Sequence, residues 1–408
     1  MSKPKNVKTV WISIPWFAPA WRAGGPVQSV QNLVAVPVEG VAYRIFCSHS
    51  DWDGAPLPGV ETGKWVPYNA WTEVWYAGPQ KRRQEMVREL ERVQPDVLFV
   101  NGIYNWHFNI LPLLAGKKVR RIVSVRGMLH PGALSQKRMK KKFFLWLWKG
   151  LGLHKGLEFH AATAEEKGHV ERVFGKGARV HVAANLPKAL ERQEVTEKEE
   201  GSLRLVTVAL VGPMKNILLV LQALQGVTEK VDYHLFGPVI DQGYWQQCTA
   251  AIAALPANIT VHVHGELHPA CLPQALGKGH VFVLPSKSEN FCHAIYEALA
   301  AGKPVITSHH TPWNGLQEAS AGWNVDIQDV KEIAKAIGSF AAMQAAELEA
   351  WSLGAKGYAE RSIDLAAIRQ EYRILFGPES GKAGEAKAAM EKTNATSSTN
   401  GPHVKLSP

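Results

Sequence analysis

Residues 280–304 read HVFVLPSKSENFCHAIYEALAAGKP: an apolar run, a polar loop and a helix-like segment in immediate succession. His280–Leu284 is apolar almost throughout, which suits a strand buried on both faces. Pro285 and Ser286 end it. Ile295, Ala298 and Leu299 then recur at helical spacing, so a helix begins near Cys292; Gly302 suits its stop and Pro304 prevents continuation. Glu289 therefore sits in the loop at the carboxyl end of a parallel strand, and Glu297 a turn or so inside the helix. Loop N–H groups at a helix start are unsatisfied and lie at the positive end of its dipole, so they attract phosphate oxygens. A carboxylate accepts paired hydrogen bonds from a vicinal diol, which fits Glu297 to a ribose. On spacing alone, Glu297 reads equally well as a solvated helix carboxylate.

The same strand-then-helix rhythm extends in both directions. Upstream runs are Val10–Ile14, Tyr43–Cys47, Asp96–Val100, Arg121–Val125, Glu158–Ala161 and Arg179–Ala183. From the middle of the chain onward they are Leu203–Val211, Asp232–Phe236, Ile259–Val263, His280–Leu284 and Pro304–Thr307. Apolar strands alternating with helices imply parallel sheets covered on both sides, and two such series imply two doubly wound α/β domains. Residues 1–190 form the first and residues 203–361 the second, joined by the charged linker 191–202. Residues 362–376 carry Ile363, Leu365, Ile368, Tyr372 and Leu375 at helical spacing, and 377–408 is a polar tail with nothing to bury, expected to be disordered.

Composition narrows the partners. The 408 residues are 46% hydrophobic and 20% charged, enough for two cores, and the net charge of +10 favours an anionic partner. No nucleic-acid-binding pattern is present, so nucleic acid is not expected. Cys47, Cys248, Cys271 and Cys292 lack metal-ligand spacing and read as reduced thiols, with no structural zinc. The basic start at Met1–Lys8 runs directly into a strand, unlike a signal peptide. No apolar run reaches the roughly 18–20 residues of a spanning helix. The expected location is cytoplasmic.

Glu289 and Glu297, set in SENFCHAIYEALAAGKPVI, closely resemble the E-x7-E signature of retaining family 4 glycosyltransferases. The resemblance covers nearly the whole ordered chain. Trp16–Val30, WFAPAWRAGGPVQSV, is similar to the family's first loop, and Arg126–Leu134, RGMLHPGAL, to its mid-domain segment. His160–Glu166, Asn185–Pro187 and Lys215–Asn216 follow in the family's order. Phe236–Cys248 and Thr311–Leu316, TPWNGL, resemble a bacterial branch that assembles surface polysaccharides.

The resemblance implies the GT-B fold, two facing Rossmann-like domains with the site between them. It assigns Glu289 to the transferred sugar, the amides of Asn290, Phe291 and Cys292 to phosphate, and Glu297 to ribose. Gly24 and Gly25, lacking Cβ, let backbone N–H groups approach the donor. Lys215 stands beside the diphosphate. Arg126 and His130 are candidates for acceptor orientation or charge neutralisation, although His130 reads equally well as a structural histidine. No metal and no cofactor are implied.

Two positions depart from the pattern. Leu210 stands where an arginine is common, and Cys292 where a glycine is usual, which restricts the backbone there. Separately, Lys137–Trp148, KRMKKKFFLWLW, joins a basic cluster to four aromatics, as suits a helix on an anionic membrane surface. A buried helix with a solvated basic end is the equal alternative. The expected activity is sugar transfer from a nucleotide-sugar donor, a UDP-sugar before a GDP-sugar, onto a surface-glycan or lipid-linked acceptor with retention. The alternatives are a soluble disaccharide synthase or phosphorylase-type relative, and a catalytically silent binding subunit of a polysaccharide-assembly complex.

Overall fold

A computed structural model describes residues 7–377, except 37, 136–137, 189, 194–197 and 290. The expectations for Asn290 and for residues 378–408 lie outside the described residues.

The first sheet contains β1 (Lys8–Ser13), β2 (Val41–Ser48), β3 (Trp65–Asn69), β4 (Thr72–Ala77), β5 (Val97–Asn101), β6 (Arg120–Ser124), β7 (Leu157–Ala161) and β8 (Arg179–Val182). Their order is β3-β4-β2-β1-β5-β6-β7-β8, parallel except for β3. The second contains β9 (Ser202–Val208), β10 (Lys230–Phe236), β11 (Ile259–Gly265), β12 (Val281–Leu284), β13 (Val305–Ser308) and β14 (Gly322–Val325). Its all-parallel order, β11-β10-β9-β12-β13-β14, is that of a doubly wound nucleotide-binding domain. Alternation along β1 shows why the strands are apolar on both faces: Val10 and Ile12 enter one core, Trp11 the other.

The connecting helices are α1 (Gly25–Ala35), α2 (Arg82–Val93), α3 (Leu111–Ala115), α4 (Pro131–Ser135), α5 (Arg138–Gly150) and α6 (Ala164–Phe174) in the first domain. Those of the second are α7 (Ile217–Leu224), α8 (Gln242–Ala253), α9 (Leu272–Gly277), α10 (His293–Ala300), α11 (Val330–Ala342) and α12 (Ala345–Ser362). No helix among the described residues is long and apolar enough to cross a membrane. All four cysteines are free.

Three strands escape the sequence pattern. The β3–β4 pair is antiparallel at a sheet edge, where Pro67 removes a donor, and β14 is only four residues long. The first strand of the second domain also ends earlier than its apolar run, at Val208 instead of Val211. There the backbone at Gly237, φ +138°, crosses Ala209 so closely that a Cβ would overlap its carbonyl. Leu210 consequently leaves the sheet and lies half-buried in the following loop.

The chain ends on the first domain. After α12, α13 (Leu365–Leu375) buries Ile368, Tyr372 and Leu375, with Phe376, among Val10, Tyr43 and Phe99. Arg120 fixes this return. Its guanidinium makes paired bonds to Glu158, Nε to Oε1 at 2.8 Å and Nη2 to Oε2 at 2.7 Å. Nη1 donates to the carbonyls of Leu375 at 2.9 Å and Gly377 at 2.7 Å. Gly377 is thus part of the docked segment rather than the start of the tail.

Removing Arg120 strands a buried carboxylate and frees two carbonyls, so Arg120→Ala should cost about 3–5 kcal/mol in urea unfolding. Burial alone would raise the Glu158 pKa, but Arg120 and His181 hold it down near 2. The stabilisation is therefore present above the ordinary carboxylate range and is lost as pH falls toward 2. A loss in Arg120→Ala no larger than that of an exposed charge deletion would show that the pair does not anchor the terminus.

Candidate active site

In an open parallel sheet, ligands bind at the carboxyl ends of the strands where the strand order reverses. That point lies between β1 and β5 in the first sheet and between β9 and β12 in the second. The loops after β9 and β12 carry Lys215 and Glu289, so topology gathers these two, and Gly24–Gly25 follows β1 at the corresponding end of the first sheet.

On the first domain, Gly24 has φ +69° and precedes α1. Nothing lies within 4 Å of where a Cβ would stand on Gly24 or Gly25, so both backbones face open space. Val27, Val30, Leu33 and Val34 bury the inner face of α1.

On the second domain, two loops are tied together by Lys287 N–H donating to the Met214 carbonyl at 2.9 Å. A third joins through Glu289 N–H and the His310 carbonyl at 3.1 Å. This brings the Lys215 ammonium onto Glu289 Oε1. Burial alone would lower the Lys215 pKa, but the charge and hydrogen bond of Glu289 outweigh it and raise it, so the ammonium stays charged. Phe291 is half-buried; its carbonyl accepts from Trp313 Nε1 at 2.5 Å, and its ring meets that indole edge-on. Trp313 belongs to the TPWNGL segment, which therefore props the glutamate loop from behind.

Cys292 caps α10 with φ 62° and ψ 79°, the left-handed region that favours glycine, and its side chain is buried. Burial pushes its thiol pKa up to about 12, so it is not a nucleophile at neutral pH.

Glu297 is 4% exposed on α10. Its carboxylate accepts a hydrogen bond from Gln28 of α1, directly across the domain boundary. Burial raises its pKa to about 8, against the opposing pull of Gln28 and Lys188. Beside this contact, His293 Nε2 meets Ser29 Oγ at 2.9 Å. Burial and then Arg126 lower the His293 pKa to about 3, so the ring is neutral. Further out, Arg22 Nε donates to Glu266 at 2.8 Å. Gln28, Ser29 and His293 were not singled out from sequence as partners. The available signal was their position at the start of α1 and α10, off the apolar stripe of each.

Arg126 and His130 stand on the first domain, and the charge of Arg126 reaches His293 at the start of α10. Arg126, φ 50°, is half-buried; Nε and Nη2 donate to Asn101 Oδ1 at 3.0 and 2.8 Å, and Nη1 donates to Asn185 Oδ1. Its donors hold β5, β6 and the asparagine loop together. His130 packs edge-on against His169, with Nε2 3.9 Å from Glu165. Ligand atoms of His130, Glu165 and His169 lie within 4.8 Å of one another. Nδ1 of His130, however, accepts the Gly132 N–H at 3.1 Å, so a neutral ring carries its proton on Nε2, facing the carboxylate. With the proton on Nε2, no lone pair is left there for a metal.

Residues 189–356 match the family described as Glycosyl transferases group 1. The chain has the GT-B fold. Anabaena HepE, in complex with UDP and glucose, superposes with TM-score 0.64 at 15% identity, covering 90% of this chain and 99% of that one. Sucrose-phosphate synthase from Thermosynechococcus elongatus gives 0.65 at 16%, covering 91% and 99%. WaaG, a glycosyltransferase involved in lipopolysaccharide biosynthesis, gives 0.62 at 12%, covering 91% and 100%. A search of curated protein sequences finds no match.

Two outcomes follow from this geometry. Glu297 binds a proton more tightly when folded than when unfolded. Its contribution is therefore fully present below the ordinary carboxylate range and is lost as pH rises through about 8, at of order 1 kcal/mol per pH unit. Glu297→Gln should flatten the fall in melting temperature between pH 5 and 8; an unchanged slope would place the proton elsewhere. At Cys292, glycine relieves the left-handed backbone, so Cys292→Gly should be more stable than Cys292→Ala by about 1 kcal/mol. At an ordinary position the order is the reverse.

Proposed function

We propose that the chain transfers a sugar from a nucleotide-sugar to a surface glycan or its lipid-linked precursor, retaining anomeric configuration. A UDP-sugar is the first choice of donor and a GDP-sugar the second. No metal or other cofactor takes part. The observation that carries this reading is the Lys215–Glu289 pair at the switch point of the second sheet, with Glu297 on the helix that follows.

In the proposed step, the bond between the anomeric carbon and the β-phosphate oxygen breaks, and charge builds on the departing diphosphate. Lys215 and the N–H groups at the start of α10 stabilise that charge. The acceptor hydroxyl attacks the same face, and its proton passes to the leaving phosphate, so no enzyme nucleophile is needed. Glu289 orients the sugar. Glu297 takes the ribose diol, which requires Gln28 to yield its place. Arg126 and His130 stay with acceptor-side positioning, since both lie on the first domain. The UDP and glucose bound by HepE support the donor class.

The likeness to sucrose-phosphate synthase supports a small soluble acceptor as the second reading. The outer face of α5 favours a membrane-borne one. Phe143 and Trp146 stack on each other at 5.8 Å while 64% and 67% exposed. Met139, Leu147 and Leu151 continue this exposed stripe, flanked by Lys140, Lys142 and Lys149. Phe144, Leu145 and Trp148 fill the inner face. A helix apolar on two faces and basic at its margins suits the surface of an anionic bilayer. On this reading the protein works at the inner face of a membrane. WaaG's involvement in lipopolysaccharide biosynthesis is consistent with such a substrate.

Transfer or hydrolysis of a UDP-sugar should persist in excess EDTA; loss on chelation with recovery in Mg²⁺ or Mn²⁺ would falsify the metal-free step. Absence of any turnover with all nucleotide-sugars would instead favour a silent binding subunit. Glu297→Ala should weaken donor binding by about 1.5–3 kcal/mol in calorimetry, the range for hydrogen bonds to a charged group. An unchanged dissociation constant would remove it from the ribose.

A further inference from the structure

The carboxyl ends of the first sheet face the domain boundary; the opposite ends hold a cavity of about 250 Å³. It forms where the last turn of α5 passes α3 and the start of β6. Leu113, Trp148 and Leu151 give it apolar walls, and Lys117, Arg121 and Lys155 stand around it. None of these three cations is ion-paired within the described residues. Arg121 Nη1 donates to the Leu113 carbonyl at 3.1 Å, yet its Nε is buried with no partner. The indole N–H of Trp148 is equally buried and unpartnered. On the other side of Lys155, a neighbouring cavity of about 280 Å³ is lined by Arg179 and by His154, whose Nδ1 also lacks a partner.

Buried polar groups are almost always paired, and leaving one unmade costs about 1–3 kcal/mol. Two unpartnered donors in the walls of one cavity, one of them on the cation Arg121, with Lys117 and Lys155 beside them, call for an oxygen-rich anion from outside. The cavity is smaller than the roughly 300–1,000 Å³ of drug-sized sites, so it does not suit a nucleotide-sugar. Its remaining wall is continuous with the stripe on α5, because Leu151 lines the cavity and is itself 64% exposed.

We propose that this cavity binds the phosphate headgroup of an anionic phospholipid, whose chains lie along the exposed stripe of α5. Phosphate oxygens accept from Arg121 Nε and Trp148 Nε1, while Lys117 and Lys155 neutralise the charge at the rim. The inference rests on the reading of α5 as a membrane-surface helix and makes that surface selective for a headgroup.

The test is calorimetric titration of the full chain with monomeric dihexanoyl-phosphatidylglycerol, beside the phosphatidylcholine analogue and inorganic phosphate. Saturable binding of the glycerol lipid alone is expected. Arg121→Gln with Lys155→Gln should weaken it tenfold or more, about what two surface-proximal cations contribute. Lys331→Gln with Lys335→Gln, both exposed on α11 of the second domain, removes equal charge and should leave it within twofold. If the first pair does not fold, Lys155→Glu alone, at an exposed position, should give the same loss. Equal binding of inorganic phosphate, or equal loss in both pairs, would overturn the proposal. Sedimentation with vesicles of equal parts phosphatidylcholine and phosphatidylglycerol tests the surface reading independently. Vesicle binding without monomer binding sinks the cavity, and monomer binding without vesicle binding sinks the surface.

Discussion

Apart from the edge strand β3, both sheets are parallel, and their central strands are covered on both faces, which constrains the rest of the molecule. A strand buried on two sides has little room for charge, so charged groups that meet a ligand are confined to the loops at strand ends. Of the two ends, only the carboxyl end meets helix N-termini, with their free N–H groups. Lys215, Glu289 and the Gly24–Gly25 pair sit there because the fold offers polar chemistry few other places. Glu297 is the informative exception. It stands on a buried helix face, and that burial is what raises its pKa.

The opposite ends of the strands do structural work by the same logic. Arg120 and Glu158 are 9% and 4% exposed, and each is satisfied by the other together with carbonyls and His181. Arg121, one residue along, has no such carboxylate. Two adjacent arginines on one strand point to opposite faces, and only Arg120 meets a carboxylate, Arg121 donating to the Leu113 carbonyl alone.

The fold class was legible because strand and helix periods alternate cleanly through both halves. What was not legible has specific causes. β3 contains Pro67 and pairs at an edge, where pattern and burial are weak. The end of β9 is set by Gly237, a residue nearly thirty positions away, so an apolar run through Val211 could not reveal it. At the candidate site, the loop position of Glu289 follows from local spacing. Its contact with Lys215 spans 74 residues, and that between Gln28 and Glu297 spans 269; each depends on how loops or domains meet. The left-handed backbone at Cys292 lies at the position where a glycine is usual in the resembled signature.

The returning C-terminal helix has one more consequence. The polypeptide passes between the domains twice, once between β8 and β9 and again at Ile363, whose side chain packs against the cores of both. Two covalent crossings act like a pair of pins on a door. Gln28–Glu297 and Ser29–His293 stand beside the first of those pins: one turn along α1, Asn32 Nδ2 donates to the Leu186 carbonyl at 2.9 Å, and the charge of Lys188 reaches Glu297. The covalent crossing and the polar contacts therefore tie the same part of the boundary.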